Sequence, residues 1–164
     1  MANSKYMEDK SFRHSASFGK RIEHYLIGKM LKEGLDVYVP MVDDDAVDVV
    51  VKRPDKKYVE VQIKARSKEV NFGDAALFAA IPHQPRENYW FVFYSERLDK
   101  MWIMSSAEFI REAYVNKKGK NVGKYVIWFN GSSKKNQTEH IKHQFDKYLV
   151  ENFDRIKDED PDNT

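Results

Sequence analysis

Four residues in one short stretch carry the functional groups that chemistry on a phosphate needs: Asp48, Glu60, Gln62 and Lys64. They lie within AVDVVVKRPDKKYVEVQIKAR, Ala46 to Arg66, where two β-favouring runs flank Pro54 and Asp55. Side chains alternate faces along a strand. Val59, Val61 and Ile63 therefore share one face of the second run, and Glu60, Gln62 and Lys64 the other. In the first run Val47, Val49 and Val51 share a face, leaving Asp48 opposite them. A hairpin about Pro54 and Asp55 sets Asp48 across from either Glu60 or Gln62. Both registers gather Asp48, Glu60, Gln62 and Lys64 above a valine and isoleucine layer.

Hard divalent cations such as Mg²⁺ take oxygen ligands, typically one or two carboxylates with waters and phosphate oxygens. Asp48, Gln62 and Glu60 are candidate metal ligands of that type, and Mn²⁺ is the natural substitute for Mg²⁺. Lys64 beside the cation is suited to activating a water and offsetting charge on a phosphate. Metal-assisted phosphodiester hydrolysis needs this combination. The competing reading is an edge hairpin whose outer face is polar because it meets water. Asp48 weighs against it, because an aspartate inside an apolar run is costly without a partner.

The elements that must position these groups follow from periodicity. Phe18, Ile22, Tyr25, Leu26 and Met30 recur at helical spacing from Phe18 to Glu33, and Gly34 stands where a helix would end. On that helix Glu23 falls inside the apolar arc, between Met30 and Ile27. It either reaches a buried base or metal site, or snorkels at the edge of the face. Strands are expected at Val37–Pro40, Ala46–Lys52, Tyr58–Ala65, Tyr89–Tyr94, Met101–Met104 and Tyr125–Phe129. Helices are expected at Asp74–Ile81, at Ser106–Tyr114 behind a Ser105 or Ser106 cap, and at Thr138–Ile156. The last would carry Ile141, Phe145, Tyr148, Leu149 and Ile156 on one face. This is a mixed α/β layer protein.

A first-helix glutamate, then Asp48, then Glu60-Val61-Gln62-Ile63-Lys64 resembles the PD-(D/E)XK nuclease superfamily. More narrowly, it is similar to the branch holding the small group I intron homing endonucleases and related uncharacterised bacterial proteins. The resemblance covers roughly Phe18 to Lys68. It implies a restriction-endonuclease-like core, a mixed β-sheet flanked by helices in a single domain. It also implies a metal-binding Asp48, a catalytic Lys64, and Glu23 as the glutamate of the first helix. One departure stands out: the acidic position two before the lysine is Gln62, a neutral ligand that holds a cation less well. The branch accepts glutamine there, and Glu60 on the same face is a possible compensation.

Charge adds a partner. Lys52–Lys68 holds seven bases against two acids, and Tyr114–Lys135 holds six lysines and no acid. Glu151–Thr164 holds six acids against Arg155 and Lys157, so the net charge of +2 hides a polarised chain. Arg66, Lys68, Lys117, Lys118, Lys120, Lys124, Lys134 and Lys135 are therefore candidate nucleic-acid contacts. The alternative is that these lysines are only solvated loop residues.

The 164 residues are one domain's worth, expected as a polar lead-in over 1–15, a nuclease-like domain over 16–156 and an acidic tail over 157–164. Without cysteine there is no disulfide framework and no thiolate metal site. The charged first residues do not form a signal peptide, and no apolar run is long enough for a membrane helix, so a cytoplasmic protein is expected. His140 and His143 lack a third ligand, and His14, His24 and His83 stand alone. Trp90, Trp102 and Trp128 read as core residues of strands. The expectation is a Mg²⁺-dependent DNA endonuclease that needs a homodimer or larger partner to cut both strands. The alternatives are an inactive nucleic-acid-binding or structural module on the same fold, and an RNA-processing nuclease.

Overall fold

The structure, a computed structural model, describes residues 15–158. The N-terminal lead-in and most of the acidic tail lie outside the described residues. Helix α1 (Ser15–Lys32) buries Phe18, Ile22, Leu26 and Met30 along one face. It ends where Gly34 takes φ +83°, so that Leu35 N–H reaches back to Met30 O. That left-handed exit is open to glycine at no steric cost.

Strands β1 (Asp36–Tyr38), β2 (Val49–Lys52) and β3 (Tyr58–Arg66) run antiparallel in sequence order. The turn between β2 and β3 is the expected one: Asp55 Oδ1 accepts Lys57 N–H, and Lys57 O accepts Arg53 N–H. After β4 (Leu77–Ile81), β5 (Tyr89–Ser95) lies parallel to β3 and buries all seven residues. Strand β6 (Lys100–Ser105) returns antiparallel. Helix α2 (Ser106–Glu112) begins with a capping box: Ser105 Oγ accepts Glu108 N–H while Glu108 accepts Ser105 N–H. Then come β7 (Tyr114–Val115), β8 (Tyr125–Trp128), β9 (Asn130–Ser133), β10 (Thr138–Ile141), a 3₁₀ turn at His143–Tyr148, β11 (Leu149–Val150) and a short α3 (Asp154–Lys157). The main sheet has the order β1-β2-β3-β5-β6-β11, with β4-β8-β7 and β9-β10 as smaller sheets.

This is a single-domain mixed α/β architecture, a mixed sheet flanked by helices. On one face of the main sheet α1 packs against Val49, Val51, Val59, Val61 and Ile63, with Phe153 and Ile156 from the end of the chain. On the other, Phe91, Phe93, Phe109, Phe129, Trp102 and Tyr148 form an aromatic core. Trp102 stacks on Phe129 at 4.6 Å between centroids. Trp90 is buried too, whereas Trp128 is half-buried and its Nε1–H donates to Gly73 O.

Two expected helices are absent. Asp74–Ile81 is a turn leading into β4, whose Leu77 and Phe78 pair with Trp128 and Ile127 of β8. Tertiary pairing overrides the weak local preference there, and Ala76 N–H is taken by the Asn130 side chain. Thr138–Ile156 is broken into β10, the 3₁₀ turn, β11 and α3. Its apolar residues serve opposite sides of the sheet: Phe145 and Tyr148 enter the aromatic core, Phe153 and Ile156 the aliphatic one. A straight helix cannot reach both. The chain instead crosses the sheet edge at β11, paired to Met101 and Trp102.

Candidate active site on the β2–β3 hairpin

The register of the hairpin sets Val49 against Val61 and Val50 against Glu60. Asp48 stands one residue ahead of β2, so strand alternation alone does not aim it. Its N–H donates to Val61 O at 2.9 Å and its Oδ2 accepts Ile63 N–H at 2.6 Å. These two bonds bracket Gln62 and hold the carboxylate along the edge of β3. Burial raises the Asp48 carboxyl above its ordinary value of 3.8, and the Ile63 hydrogen bond opposes that rise. Repulsion from Glu23 and Asp43 raises it further, and Lys64 lowers it. Glu23 and Lys64, expected at this site from α1 and β3, are thus both within electrostatic reach of Asp48.

Glu23 is neither fully buried nor free: its side chain is 18% exposed and accepts Lys20 Nζ at 2.8 Å. Gln62 and Lys64 are half-buried. Tyr89 Oη donates to Ala46 O at 2.5 Å and lies 3.2 Å from Gln62 Oε1. Burial pushes the Tyr89 hydroxyl far above its ordinary range, so it stays a donor. Glu60 turns elsewhere. Its carboxylate pairs with Arg86 Nη2, while Arg86 Nη1 donates to Asp45 O at 2.7 Å and the guanidinium lies 4.2 Å over the Tyr89 ring. Glu60 is therefore committed to Arg86.

The donor set suits a hard cation. Asp48 is a half-buried carboxylate crowded by two other acids, and Gln62 presents an amide oxygen on the strand its bonds bracket. A divalent ion there would relieve the repulsion that raises Asp48. Gln62 makes it a weaker site than two carboxylates would be. Among the described residues, no group of three or more histidine, cysteine or acidic side chains converges as a ready-made metal cluster.

The basic candidates divide by place. Lys117, Lys118 and Lys120 are exposed on the β7–β8 connection and Lys124 is half-buried at its end. Lys134 and Lys135 are exposed at the tip of the β9–β10 hairpin. Arg66 is engaged with Asp74, donating to its carbonyl at 3.2 Å. Lys68 sits in the loop after β3, whose shape Arg97 dictates by donating to the carbonyls of Lys68, Val70 and Asn71. Arg97 is itself gripped by both oxygens of Glu139 on β10.

Three participants escaped the sequence: Arg86, Tyr89 and the charge of Asp43. Tyr89 meets Glu60 only because β5 pairs parallel to β3, a non-local fact without local signature. His83, which stands alone in the sequence, packs among aromatic rings. Its ring stacks on Tyr89 and sits edge-on to Phe91, and its Nε2 bonds Ser106 Oγ at 2.7 Å. Burial and the nearby Arg86 lower it to about 4, so it is neutral at pH 7.

No family model and no curated protein matches the sequence. Among solved structures the fold is similar to that of a bacterial homing endonuclease, I-Ssp6803I. The TM-score is 0.54 at 18% identity, covering 83% of this chain and 87% of the other. The likeness is one of fold and extends over 83% of this chain. No described helix is long and apolar enough to cross a membrane.

Proposed function

We propose that this chain is a PD-(D/E)XK-type, Mg²⁺-dependent endonuclease acting on DNA, with Mn²⁺ able to replace Mg²⁺. The observation that carries this reading is the gathering of Asp48, Gln62 and Lys64 at one hairpin, with Glu23 within electrostatic reach from α1. The likeness of the fold to a homing endonuclease supports it. Asp48 and Gln62 would hold the cation, which when bound supplies Lewis acidity at the phosphate. Glu23 assists from the helix, directly or through water. Lys64 orients the attacking water and offsets charge on the phosphate. Tyr89 Oη borders the Gln62 amide oxygen, and Glu60 acts through Arg86 rather than as a ligand. One domain with one such site cuts one strand, so double-strand cleavage calls for two copies.

One observation favours a second reading, a binding module that has lost catalysis. Gln62 is neutral and Glu60 is committed to Arg86, which leaves Asp48, just ahead of β2, as the hairpin carboxylate without a basic partner among the described residues. The deciding experiment incubates the chain with plasmid, linear and branched DNA and with a structured RNA, in Mg²⁺, Mn²⁺ or EDTA. The expected outcome is DNA cleavage in either cation, none in EDTA, and none by a folded Asp48→Ala protein that also loses Mn²⁺ binding. Unchanged Mn²⁺ affinity in Asp48→Ala would falsify the ligand assignment. DNA binding without cleavage in either cation selects the inactive module, and cleavage of RNA alone selects the RNA-processing reading.

A further inference from the structure

A cavity of about 360 Å³ opens beside the hairpin at the start of β5 and the end of β6. That volume is at the low end of small-molecule sites, roughly 300–1,000 Å³. Arg53, Arg86, Asn88, Trp90, Ser105 and Ala107 contribute to its wall. Arg53 is the unusual member. It is only 5% exposed, yet the sole hydrogen bond of its side chain among the described residues runs from Nε to Ile156 O, at 2.7 Å. Its Nη2 is buried without a partner, and no carboxylate pairs with it among the described residues. A buried guanidinium without a counter-charge carries a large desolvation penalty unless something anionic meets it.

The surroundings leave that positive charge uncompensated. The Arg53 guanidinium lies 5.8 Å from the Trp90 ring centroid and that of the half-buried Arg155 lies 5.7 Å from it, so two cations share one indole. Arg155 is balanced by Glu108 at 2.6 Å, and Arg86 by Glu60. Glu87 is exposed at the rim. Arg53 remains. With Nε given to Ile156 O, the terminal Nη groups are the part of this planar donor set left for an oxyanion.

We infer that this cavity binds a phosphate group, with Arg53 as its anchor. The choice of phosphate over carboxylate rests on the nuclease reading, because Arg86 and Tyr89 join the cavity to Glu60 and Gln62 of the hairpin. The group is either a free phosphate or a phosphate of a nucleic acid, and the two are separable by experiment.

The test is thermal unfolding of the full chain in EDTA at constant ionic strength, with chloride exchanged for inorganic phosphate or for acetate. Phosphate should raise the melting temperature saturably, by about 3 °C at ten times the midpoint concentration. Acetate should leave it unmoved. Arg53→Met should lose the phosphate response whatever its own melting temperature. Should that variant fail to fold, Arg53→Lys keeps a cation without the fork, and its phosphate midpoint should rise about tenfold. A 5′-phosphorylated oligonucleotide that displaces phosphate, where its 5′-hydroxyl twin does not, identifies a terminal phosphate. Displacement by both identifies an internal phosphodiester, and by neither a free phosphate. No phosphate-specific rise in the parent, an equal rise in acetate, or an unchanged midpoint in either variant overturns the proposal. Because EDTA suppresses cleavage, a phosphate response in a chain that cuts no DNA retains this site and removes the nuclease reading. Cleavage without the response does the reverse.

Discussion

Strands β3 and β5 lie side by side, and on one face of the sheet they could hardly differ more. Gln62 is the register partner of Phe91, and Lys64 of Phe93. The two phenylalanines are fully buried, stacked on each other at 5.5 Å between centroids, and covered by Phe78, Phe109 and Phe129. The two polar residues are half-exposed. Within one strand spacing, about 4.8 Å, the surface passes from a dry aromatic core to a charged ledge. The aromatic strand makes the neighbouring backbone rigid, and rigidity is what a site needs to hold ligands in place. The opposite face of β3 shows no such change, since Val59, Val61 and Ile63 are all buried under α1.

That contrast predicts opposite phenotypes for adjacent residues. Phe93→Ala should cost about 3–5 kcal/mol of stability by opening a cavity. Lys64→Ala should cost less than about 1 kcal/mol, yet lower the cleavage rate at least about 100-fold with Mn²⁺ still bound. Denaturant titration and single-turnover assays read the two effects. A Lys64→Ala protein as unstable as Phe93→Ala would erase the boundary drawn here.

Asp48 sharpens it. Its folded carboxyl is raised above 3.8, chiefly by burial, so folding favours the protonated form. The associated stability is full below 3.8, is lost as pH rises through the raised folded value, and is absent at neutral pH. The metal-free Asp48→Asn protein should therefore be more stable than the parent at pH 7, with the gap narrowing on acidification. Mg²⁺ should raise the melting temperature of the parent and leave that of the variant unmoved. Urea titrations between pH 4.5 and 7.5 test the first claim.

Gln62→Glu adds an anionic ligand and should tighten Mn²⁺ by about tenfold, measured by calorimetry. It will also raise Asp48 further in the metal-free protein, through like-charge repulsion. The smallest change belongs to the loop lysines. Replacing Lys117, Lys118 and Lys120 together by Gln should leave stability within about 0.5 kcal/mol. The log–log salt dependence of DNA binding should flatten by about 0.9 per lost phosphate contact. An unchanged slope would return those lysines to ordinary solvation.

What could be read in advance was local. The β2–β3 hairpin joins segments adjacent in sequence, with alternation and a Pro-Asp turn to fix them. The first helix announced itself through its apolar spacing and Gly34, and the second through Ser105. Tyr89 and Arg86 became neighbours of Gln62 and Glu60 only through a parallel pairing with a long crossover. The closing segment misled because helical spacing and two-sided burial leave the same apolar pattern. Only the sheet between Tyr148 and Phe153 distinguishes them. Arg53 read as one base in a basic run; its burial depends on Ile156, 103 positions away.

The main sheet finishes on β1, three residues long, and on β11, two residues long. Rows of unpaired N–H and C=O groups that short offer little template for another chain's strand. Tyr38 and Val39 at the β1 end are more than half exposed, with Pro40 next in the chain, and proline cannot donate to a growing ladder. Two copies therefore gain little by extending the main sheet across an interface, and a contact between them at these edges would rest on side chains rather than on a shared ladder.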